Sequence, residues 1–580
     1  MFNDYEIRRI PLSLKHHREQ VEGFLKDNGL RGDPMDYYAG VFAYREDEIL
    51  GGGGLCGNVI KCLAVKESLR DEGISVRLVS HLISVAVNNG HTSVRLFTKP
   101  ENKLKFESLG FTLIAEAPKA ILMEIGNAGI TAYGRYLSIL KRDGTNGAIV
   151  MNANPFTLGH KYLIEEAARQ VDNLYVIVVK EDVSMFSYEE RKNMVKEGCK
   201  AIGNVIVCEG SDYAVSALTF PTYFMKEVTD ATETHIHIDL DIFANHIAPA
   251  LNITVRFVGS EPTDRLTNRY NEKMKALLPL HQIEVRQVER LRQSGNVVSA
   301  SALRQALTEG SFAAACDMAA PTSVPYLIMQ AAVDALQTEL DLTPKPGLVD
   351  LHDNGAHNDM NHALMTKSIR TLRPFITKFA VKGFRRSCPG HDELAATGIK
   401  AEQAMFEATG GVNTHKGALF ALGLVAVVAS HHYYIYRQLD APTLQRGIEQ
   451  LAQRFQAARD THGYEVKKNN RLAGALDNAQ TGYATLFTEW LPFINSLGDD
   501  PSGLHKLLLC IMSRLDDTNI CYRKGEATLQ AVKKEAQERL DDFTVESLQA
   551  MNRRFIDDNI SPGGSADMLA LTVFIRTILS

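Results

Sequence analysis

The chain lacks the features that would place it in a specialised class of protein. None of its eight cysteines forms a Cys-x-x-Cys pair, which argues against a disulfide scaffold and against a cysteine-rich zinc site. The N-terminus shows no basic segment followed by an apolar one, so we expect no signal peptide. A net charge of −6 is too small to favour nucleic acid or an anionic membrane. We therefore expect a reduced, cytoplasmic protein that binds neither nucleic acid nor a membrane.

Long apolar runs are also missing. The longest, residues 418–429, is too short to span a bilayer, and we expect it to form a buried helix. A hydrophobic content of 45% and a charged content of 23% are ordinary for globular proteins. Because 580 residues are enough for roughly three or four domains, the chain is predicted to be a multidomain globular protein.

Three blocks differ in their sequence patterns. In residues 1–130, strand-like runs at 41–44, 59–65 and 93–97 alternate with a helical pattern at 75–88, which predicts an α+β domain. Residues 322–580 show many helical patterns and few strand-like runs, so we expect an all-α domain there. The stretch 319–325 is rich in small residues and proline and is predicted to be a linker.

The second block, residues 145–318, alternates short apolar runs with helical patterns. This alternation predicts an α/β domain with a doubly wound parallel sheet, whose ligands lie beyond the carboxyl ends of the strands. His235 and His237 would share one face of a strand; they are either a metal-binding pair or, as we favour, two packed or surface histidines. The predicted strands are 148–151, 174–179, 205–208, 235–239 and 254–258.

The most informative stretch of the chain is residues 152–160, which read Asn-Ala-Asn-Pro-Phe-Thr-Leu-Gly-His. It follows an apolar strand and leads into a helical pattern, and a helix N-terminus binds phosphate readily. Thr157 and His160 are three residues apart, so they can face the same phosphate. Gly159 would let a nucleotide approach the backbone closely. The stretch therefore predicts a phosphate site.

A second motif, residues 297–304, reads Val-Val-Ser-Ala-Ser-Ala-Leu-Arg. It would place Ser299 and Ser301 at a helix N-terminus and Arg304 one turn further, where a guanidinium can bind phosphate with two hydrogen bonds. Taken alone, Ser299 is also typical of an ordinary helix cap and His160 of a core histidine. The two motifs in this order favour a nucleotide site.

The third block carries more polar motifs than a helical domain needs. Lys345 lies between two prolines that fix the backbone, and Thr414-His-Lys-Gly opens an apolar helix. Asp359, Asp516 and Asp517 offer the hard oxygen ligands that Mg²⁺ prefers. Each motif alone is also typical of a cap or turn. The polar clusters are residues 343–350, 354–360, 411–418, 516–519, 523–525 and 561–567.

The region 1–318 resembles known nucleotide-dependent enzymes. The Thr-x-Gly-His pattern at 157–160 resembles the signature of the HxGH nucleotidyltransferase superfamily, which attacks the α-phosphate of ATP. Residues 152–161, 258–264, 270–271 and 299–301 resemble citrate lyase ligase. That resemblance implies that acetate and ATP give acetyl-adenylate and pyrophosphate. The acetyl group would then pass to the prosthetic-group thiol on the acyl carrier subunit of citrate lyase.

The same resemblance implies roles for individual residues. The α-phosphate would be bound by His160 and Thr157, with help from Lys161. The leaving pyrophosphate would be held by Ser299, Ser301 and Arg304, with Mg²⁺ shielding the phosphates. The remaining implied contacts are Asn152 and Asn154, which order the turn or touch the nucleotide, the turn residue Gly159, and Gly259 and Glu261, which line an adenosine pocket or form a plain strand–turn.

The first block resembles a GNAT acetyltransferase. Its residues 70–75 read Arg-Asp-Glu-Gly-Ile-Ser between a strand and a helix, and 105–111 follow later. In that family an Arg-x-x-Gly-x-Gly/Ala turn binds the pyrophosphate of coenzyme A. The resemblance implies acyl-pantetheine contacts at Arg70, Gly73 and Ser75. Because Ser75 departs from the small last residue of the pattern, a plain glycine loop before a helix is the alternative.

The third block resembles triphosphoribosyl-dephospho-CoA synthase over nearly its whole length, most specifically through Gly-Val-Asn-Thr-His-Lys-Gly at 411–417. That family joins ATP and 3′-dephospho-CoA and expels adenine, which makes the precursor of the citrate lyase prosthetic group. The resemblance implies that one carboxylate or His357 takes the proton of the 2′-hydroxyl. It further implies triphosphate contacts at Lys345, His415, Lys416 and Arg523, and Mg²⁺ ligands at Asp359, Asp516 and Asp517.

Two other interpretations stay open. The middle block could be a pantetheine-phosphate adenylyltransferase-like enzyme that adenylylates a phosphate instead of acetate. The chain could also be a scaffold for the acyl carrier protein with one degenerate half. The presence of His160, Arg304, Lys345 and Asp359 argues against degeneration. We favour a bifunctional enzyme in which one half makes the precursor and the other acetylates the finished thiol.

Overall fold

The computed structural model describes residues 5–69, 72–180, 184–213, 228–261, 264–293, 295–456 and 472–580. The chain divides into two compact units, residues 1–298 and 299–580. The first unit contains the β-sheets and the second is helical, which confirms a multidomain chain with an all-α C-terminal part. The three predicted domain boundaries stay predictions.

The first sheet covers the N-terminal block. Its strands are β1 (Tyr5–Arg9), β2 (Tyr37–Ala43), β3 (Gly51–Cys56), β4 (Val59–Val65), β5 (Ser93–Thr98), β6 (Thr112–Ala117) and β7 (Ala120–Gly126), with helices α1 (Lys15–Asp27), α2 (Ile74–Asn88) and α3 (Lys103–Glu107). The order is β1-β2-β3-β4-β5-β7-β6. All neighbours are antiparallel except β4 and β5, whose parallel pairing covers Val59–Arg95 and Ile60–Leu96. This arrangement agrees with the α+β prediction.

The second sheet covers the middle block. Its strands are β8 (Asn146–Met151), β9 (Asn173–Val178), β10 (Val205–Cys208), β11 (Ile253–Gly259) and β12 (Glu284–Val288). They are all parallel, in the order β10-β9-β8-β11-β12. The order reverses between β8 and β11, which is where ligands bind in open sheets of this kind. The predicted doubly wound parallel sheet is therefore confirmed.

Helices and one small hairpin complete the sheet-containing unit. They are α4 (Ile130–Leu140), α5 (Leu158–Ala168), α6 (Tyr188–Cys199), α7 (Val228–Ile242), α8 (Ala248–Leu251), α9 (Arg265–Leu277), β13 (Arg292–Gln293) and β14 (Asn296–Val297). A short π-helix at Phe243–Ile247 joins α7 to α8. The start of α6 carries a capping box in which Ser187 and Glu190 bond each other's backbone N–H groups.

The strand predicted at residues 235–239 is wrong, because these residues lie inside α7. Ile236, Ile238 and Leu240 are buried, so the side chains alternate in burial although the backbone is helical. This helix packs against β6 and β7 on one side and against α9 on another, and it therefore needs no single apolar stripe. His235 and His237 are two apart on a helix, so they do not share a face.

One hydrophobic core joins the N-terminal and middle blocks within the first unit. It contains Phe97 and Leu122 of the first sheet together with Tyr175 and Ile177 of the second. The N–H of Glu116 also donates to Asp241 of α7 at 2.9 Å. The two blocks are therefore packed as a single folded body.

In its described residues, the second unit consists of helices joined by loops and contains no β-strand. The helices are α10 (Ala300–Thr308), α11 (Phe312–Met318), α12 (Val324–Asp341), α13 (His362–Gly383), α14 (His391–Thr409), α15 (Lys416–Tyr436), α16 (Ala441–Ala452), α17 (Ala475–Gln480), α18 (Leu491–Ser496), α19 (Gly503–Arg514), α20 (Thr518–Lys524), α21 (Glu526–Asp541), α22 (Val545–Asp557) and α23 (Gly563–Ile578). The stretch predicted to be a linker contains a short 3₁₀ turn, Pro321–Ser323, and Ala320 and Ser323 are buried.

Helix α15 lies at the centre of this unit, against α12, α13, α16 and α23. Among the described residues it is the one helix long and apolar enough to cross a membrane, and 78% of its most apolar window is buried. The same length and composition occur in core helices. The prediction of a buried helix at 418–429 is confirmed.

Candidate active sites

The turn after β8 is fixed by a buried arginine. Arg191 of α6 is fully buried, and its Nη1 donates to the carbonyl and the side-chain oxygen of Asn152, both at 2.7 Å. The same nitrogen donates to the carbonyl of Val179 at 2.8 Å, and Nε donates to the carbonyl of Phe186 at 3.1 Å. Asn154 accepts from the N–H of Phe186 at 3.2 Å. Asn152 and Asn154 therefore order the turn.

Thr157 and His160 form the cap of α5. The N–H of Thr157 donates to His160 Nδ1 at 3.1 Å, and Thr157 Oγ1 accepts from the N–H of His160 at 3.3 Å. The imidazole also stacks on Phe156, with ring centroids 6.1 Å apart. These contacts hold the histidine ring at the first turn of the helix, where the partial positive charge of the N-terminus lies.

Gly159 and Lys161 have neighbours that the sequence did not predict. A side chain at Gly159 would lie 2.6 Å from the carbonyl oxygen of Val298, so the close approach to this glycine comes from the protein's own backbone. Lys161 Nζ lies 3.8 Å from Glu165 one turn further along α5.

The turn after β11 contains the predicted adenosine contacts. The carbonyl of Gly259 accepts from Asn271 Nδ2 at 3.0 Å. Glu261 is buried, pairs with Arg290 and accepts from the N–H of Asp264 at 3.1 Å. Both residues thus tie β11 to the following segments, and their contact with adenosine stays a prediction.

In the second unit, Ser299 is the N-cap of α10. Its Oγ accepts from the N–H of Ala302 at 3.1 Å and lies 3.2 Å from Ser301 Oγ. Arg304 is half-buried one turn further along. The helix N-terminus predicted here is present, and the phosphate contacts of these three residues stay predictions.

The turn before α2 is described from residue 72 onward. Gly73 is the N-cap and has φ +73°, a left-handed conformation that glycine adopts without strain. Ser75 is half-buried in the first turn of α2. Arg70, the third predicted acyl-pantetheine contact, lies outside the described residues.

The second unit contains a cavity of about 860 Å³. It unites all the residues that were predicted in the third block, although they come from separate segments of the chain. These are Lys345, His357, Asp359, His415, Lys416, Asp516, Asp517 and Arg523.

The cations that line this cavity differ in exposure. Lys345 is buried, and its Nζ lies 2.5 Å from Glu339, which is also buried. Lys416 is partly exposed and pairs with Glu402 at 2.9 Å. Arg523 is exposed, and its Nη1 donates to the carbonyl of Ala356 at 3.4 Å. Lys416 and Arg523 are therefore the more exposed cations of the cavity, at its rim, whereas Lys345 has a buried counter-charge.

Two histidines line the cavity. His357 Nε2 lies 2.8 Å from Ser561 Oγ, and burial, with the charge of Arg523, lowers the pKa of its imidazole. His415 Nδ1 lies 2.9 Å from Ser368 Oγ. Burial, with the charge of Lys345, lowers the pKa of His415 to about 3. Both rings are therefore neutral near neutral pH.

The three aspartates predicted to bind Mg²⁺ have separate environments. Asp517 is buried and accepts from the N–H of Asn519 and from the N–H and hydroxyl of Ser565. Asp516 pairs with Lys533 at 2.8 Å, and Asp359 is largely exposed. Across the described parts of the chain, no three His, Cys, Asp or Glu side chains come together as a metal site. The three aspartates therefore do not form an all-protein cage for an ion, and their contact with Mg²⁺ carried by substrate phosphates stays a prediction.

The contact between Asp567 of α23 and the start of α15 was not predicted from the sequence. Asp567 lines the cavity, and its carboxyl lies where a side chain at Gly417 would stand, with Oδ2 at 2.0 Å from that position. It accepts a hydrogen bond from the N–H of Ala418. Burial and the charges of Glu339 and Asp517 raise its pKa well above the ordinary value. The motif at 561–567 was noticed, but nothing in it indicated this contact.

Comparison with known proteins finds two families that match successive parts of the chain. Residues 146–327 match the family described as citrate lyase ligase C-terminal domain. Residues 325–580 match the family described as ATP:dephospho-CoA triphosphoribosyl transferase. The ligase of citrate (pro-3S)-lyase from Klebsiella pneumoniae is 41% identical over 333 residues, which cover 56% of this chain and 97% of that protein.

A second set of relatives matches the helical part. The 2-(5''-triphosphoribosyl)-3'-dephosphocoenzyme-A synthase of Haemophilus ducreyi is 36% identical over 286 residues, which cover 43% of this chain and 88% of that protein. The chain belongs to both families. It therefore has a ligase half and a synthase half, with ligase and transferase activity, and serves the activation of citrate lyase and the supply of its prosthetic group.

Among solved structures, the putative triphosphoribosyl-dephospho-CoA synthase from Archaeoglobus fulgidus aligns with 37% of this chain and 98% of its own length. The sequence identity is 14% and the TM-score is 0.25.

Proposed function

We propose that the synthase half joins the ribose of ATP to the 2′-hydroxyl of 3′-dephospho-CoA and releases adenine. The observation that carries this proposal is the cavity of about 860 Å³ with Lys416 and Arg523 at its rim. Charged, multidentate donors of this kind suit a triphosphate. The resemblance also assigned Lys345 to the triphosphate. This lysine is paired with the buried Glu339, so we do not assign it a direct phosphate contact.

His357 is the base that we assign to this reaction. A base must be unprotonated at the working pH and within reach of the hydroxyl. Burial holds the pKa of His357 below its usual value, and Ser561 orients the ring. Mg²⁺ enters with the phosphates of ATP as part of the substrate.

Adenine release tests the synthase proposal. The full chain is incubated with ATP and Mg²⁺, with and without 3′-dephospho-CoA, and free adenine is measured by chromatography. We expect adenine only when both substrates are present. His357→Ala, compared with wild type, should slow release without weakening ATP binding. Adenine release from ATP alone, or none from the folded chain, would contradict the proposal.

We propose that the ligase half converts acetate and ATP to acetyl-adenylate and pyrophosphate and then acetylates the prosthetic-group thiol of the citrate lyase acyl carrier subunit. The observation that supports it is the turn at 152–161, which Arg191 and the cap of α5 hold in one geometry. Acetate is already a nucleophile, so catalysis requires positioning and charge stabilisation at the α-phosphate. Thr157, His160 and Lys161 are the residues that we assign to this task.

Acetate-dependent pyrophosphate release tests the ligase proposal. Radiolabelled acetate should appear on the acyl carrier subunit only when ATP is present. Release that depends on 4′-phosphopantetheine instead of acetate would favour the adenylyltransferase interpretation. Absence of both reactions from a folded chain would favour the scaffold interpretation.

The N-terminal block is proposed to receive the pantetheine arm of the carrier. Gly73 is in the left-handed conformation and caps α2 without a side-chain hydrogen bond to its first N–H groups, and backbone N–H groups at a helix N-terminus suit a phosphate of the prosthetic group. Gly73→Val should raise the KM for the acyl carrier while leaving the KM for ATP unchanged. If the KM for the acyl carrier is unchanged, the N-terminal block does not bind the pantetheine arm through this turn.

A further inference from the structure

The buried end of the synthase cavity contains a nitrogen that no protein group satisfies. His415 is 3% exposed and lines the cavity at the start of α15. Its Nδ1 is engaged with Ser368 of α13 at 2.9 Å. Its Nε2, on the other side of the ring, is buried and has no hydrogen-bond partner within the described ranges of the chain. A buried polar atom without a partner costs free energy unless a ligand or water meets it.

The hydrogen bonds around Ser368 determine which nitrogen carries the proton. Ser368 Oγ accepts from the hydroxyl of Thr414 at 2.7 Å. We assign the hydroxyl of Ser368 as the donor to His415 Nδ1, since its hydrogen is then used in a bond within the described part of the chain. Because Nδ1 accepts, the hydrogen of the neutral ring is on Nε2. His415 therefore presents one fixed, uncharged N–H donor.

The charges that line the cavity favour an uncharged acceptor for His415. Lys345 is balanced by the buried Glu339, and the buried Asp517 and the neighbouring Asp567 are two further carboxyl groups. The cations without a buried counter-charge, Lys416 and Arg523, are at the rim. A triphosphate is therefore attracted to the rim. An uncharged donor at the buried end suits an uncharged acceptor, such as a purine ring nitrogen.

We propose that Nε2–H of His415 donates a hydrogen bond to a ring nitrogen of the adenine of ATP, N7 or N3, and stabilises the base as it leaves. This inference rests on the proposed synthase function. ATP would then lie with its base at the buried end and its triphosphate at the rim.

The role of this hydrogen bond follows from the electron balance of the reaction. The C1′–N9 bond of ATP breaks, and its electron pair leaves with adenine. The oxygen of the 2′-hydroxyl of dephospho-CoA forms the new bond to C1′. The proton of that hydroxyl is taken by the base and passes in net to adenine. Electron density on the purine ring rises as the bond breaks, so a donor aimed at N7 or N3 binds the transition state more strongly than ATP.

The test combines variants of His415 with altered substrates. Adenine or deaza-adenine release is measured for the full-length wild type, His415→Ala and His415→Gln with ATP, 7-deaza-ATP and 3-deaza-ATP. His432→Gln is the matched control, because His432 is buried in the same helix but does not line the cavity. Thermal unfolding of each variant shows that the helical unit is folded.

We expect His415→Ala to lower kcat with ATP by about 100-fold, in line with removal of one aligned donor, with little change in the Kd for ATP. The Gln variant, which retains an N–H donor, should recover part of the rate. The analogue that lacks the contacted ring nitrogen should react slowly with the wild type, and its kcat should not fall further in His415→Ala. That analogue identifies which nitrogen, N7 or N3, His415 contacts.

Two outcomes would overturn the proposal. If His415→Ala lowers kcat equally with ATP and with both analogues, the histidine does not contact N7 or N3. If inhibition by tripolyphosphate weakens in His415→Ala, the donor binds the triphosphate instead. Failure of the proposed function is distinguishable from both, since the wild type itself would then release no adenine from ATP and dephospho-CoA.

Discussion

The ligase half and the synthase half hold their candidate residues in opposite ways. In the ligase half, the turn at 152–161 is one continuous stretch, and Arg191 of a separate helix fixes its backbone. In the synthase half, the cavity is lined by segments scattered from 336 to 570. A continuous turn depends on local backbone shape, whereas a dispersed cavity depends on how whole helices pack. We therefore expect substitutions to lower activity in the ligase half by changing local backbone shape and in the synthase half by changing helix packing.

The largest effect should come from His160→Ala. Loss of the imidazole from the first turn of α5 should lower acetate-dependent pyrophosphate release by about a thousandfold. Adenine release by the same protein should be unchanged, because the synthase residues lie on other segments. A parallel fall in pyrophosphate release and adenine release would show that the two sites are coupled, which would contradict the independence of the two halves.

Arg191→Met tests whether helix α6 fixes the turn at 152–161. The carbonyl groups of Asn152, Val179 and Phe186 would lose their donor, which should cost about 3 kcal/mol of unfolding free energy. Pyrophosphate release should fall by about 100-fold because the turn loses its geometry.

The matched control for this variant is Arg169→Met, which removes an exposed arginine of the same unit and should change stability by less than about 0.5 kcal/mol. Equal behaviour of the two variants in urea unfolding would mean that the turn keeps its shape without Arg191.

Gly417→Ala should show the dependence of the synthase half on packing. The added methyl group would stand 2.0 Å from Asp567 Oδ2, so the carboxyl must move and lose its bond from Ala418. Overpacking of this kind costs about 2 kcal/mol, and adenine release should fall while pyrophosphate release is kept.

Gly398→Ala in α14 is the control, because no atom lies within 4 Å of the added methyl group. It should stabilise the protein by about 0.5–1 kcal/mol through helix propensity. Thermal unfolding of both variants compares them, and equal stability would place Asp567 away from the start of α15.

The pH dependence of unfolding should reveal the buried histidine of the synthase half. Below its unfolded pKa of about 6.5, His415 binds a proton in the unfolded chain but not in the folded one, whose pKa is about 3. Its contribution to stability is therefore present above about pH 6.5 and is lost as pH falls towards about 3.

The unfolding free energy of the wild type relative to His415→Gln should fall by about 1.4 kcal/mol per pH unit in that range. Asp517 and Asp567, whose pKa values are raised, act in the opposite sense but are present in both proteins. Urea unfolding at several pH values measures the difference. A constant difference would place His415 in contact with water in the folded protein.

The smallest effect should come from Ser299→Ala, which removes the cap of α10. Loss of the bond to the N–H of Ala302 should cost about 1 kcal/mol, and Ser299→Gly should cost less. If Ser299 also binds the leaving pyrophosphate, ligase activity should fall by more than the stability loss explains. Pyrophosphate release that is unchanged in both variants would limit this serine to capping.

Much of the architecture was predictable from local pattern. Alternating apolar residues located β4, short apolar runs located the parallel strands β8, β9, β10 and β11, and the left-handed glycine before α2 was part of the motif that indicated a turn. Residues 235–239 were wrongly predicted as a strand, because α7 is packed on several sides and its buried positions alternate as in a strand. The strands β1, β3, β6, β7 and β12 were not predicted.

The sites were less predictable than the fold. The residues that fix them include Arg191 and Ser368, which are in helices and carry no local signal of a role. They also include Asp567, whose polar motif did not indicate its contact with the start of α15. Lys345 was predicted to meet a phosphate, but the structure gives it a buried partner in Glu339. That partner is six residues away on another element, and only the fold determines which charges are buried together.

The sequence by itself determined the features that depend on neighbouring residues, such as the caps at Thr157 and Ser299 and the order of strands and helices along the chain. A cap forms between a side chain and the next turn of the same helix, so a few residues suffice to specify it. The tertiary structure alone decided the neutral state of His415, the position of Asp567 and the fixation of the turn by Arg191. Burial and charge at a site are set by segments that are far apart in the chain and become neighbours only when the helices and strands pack.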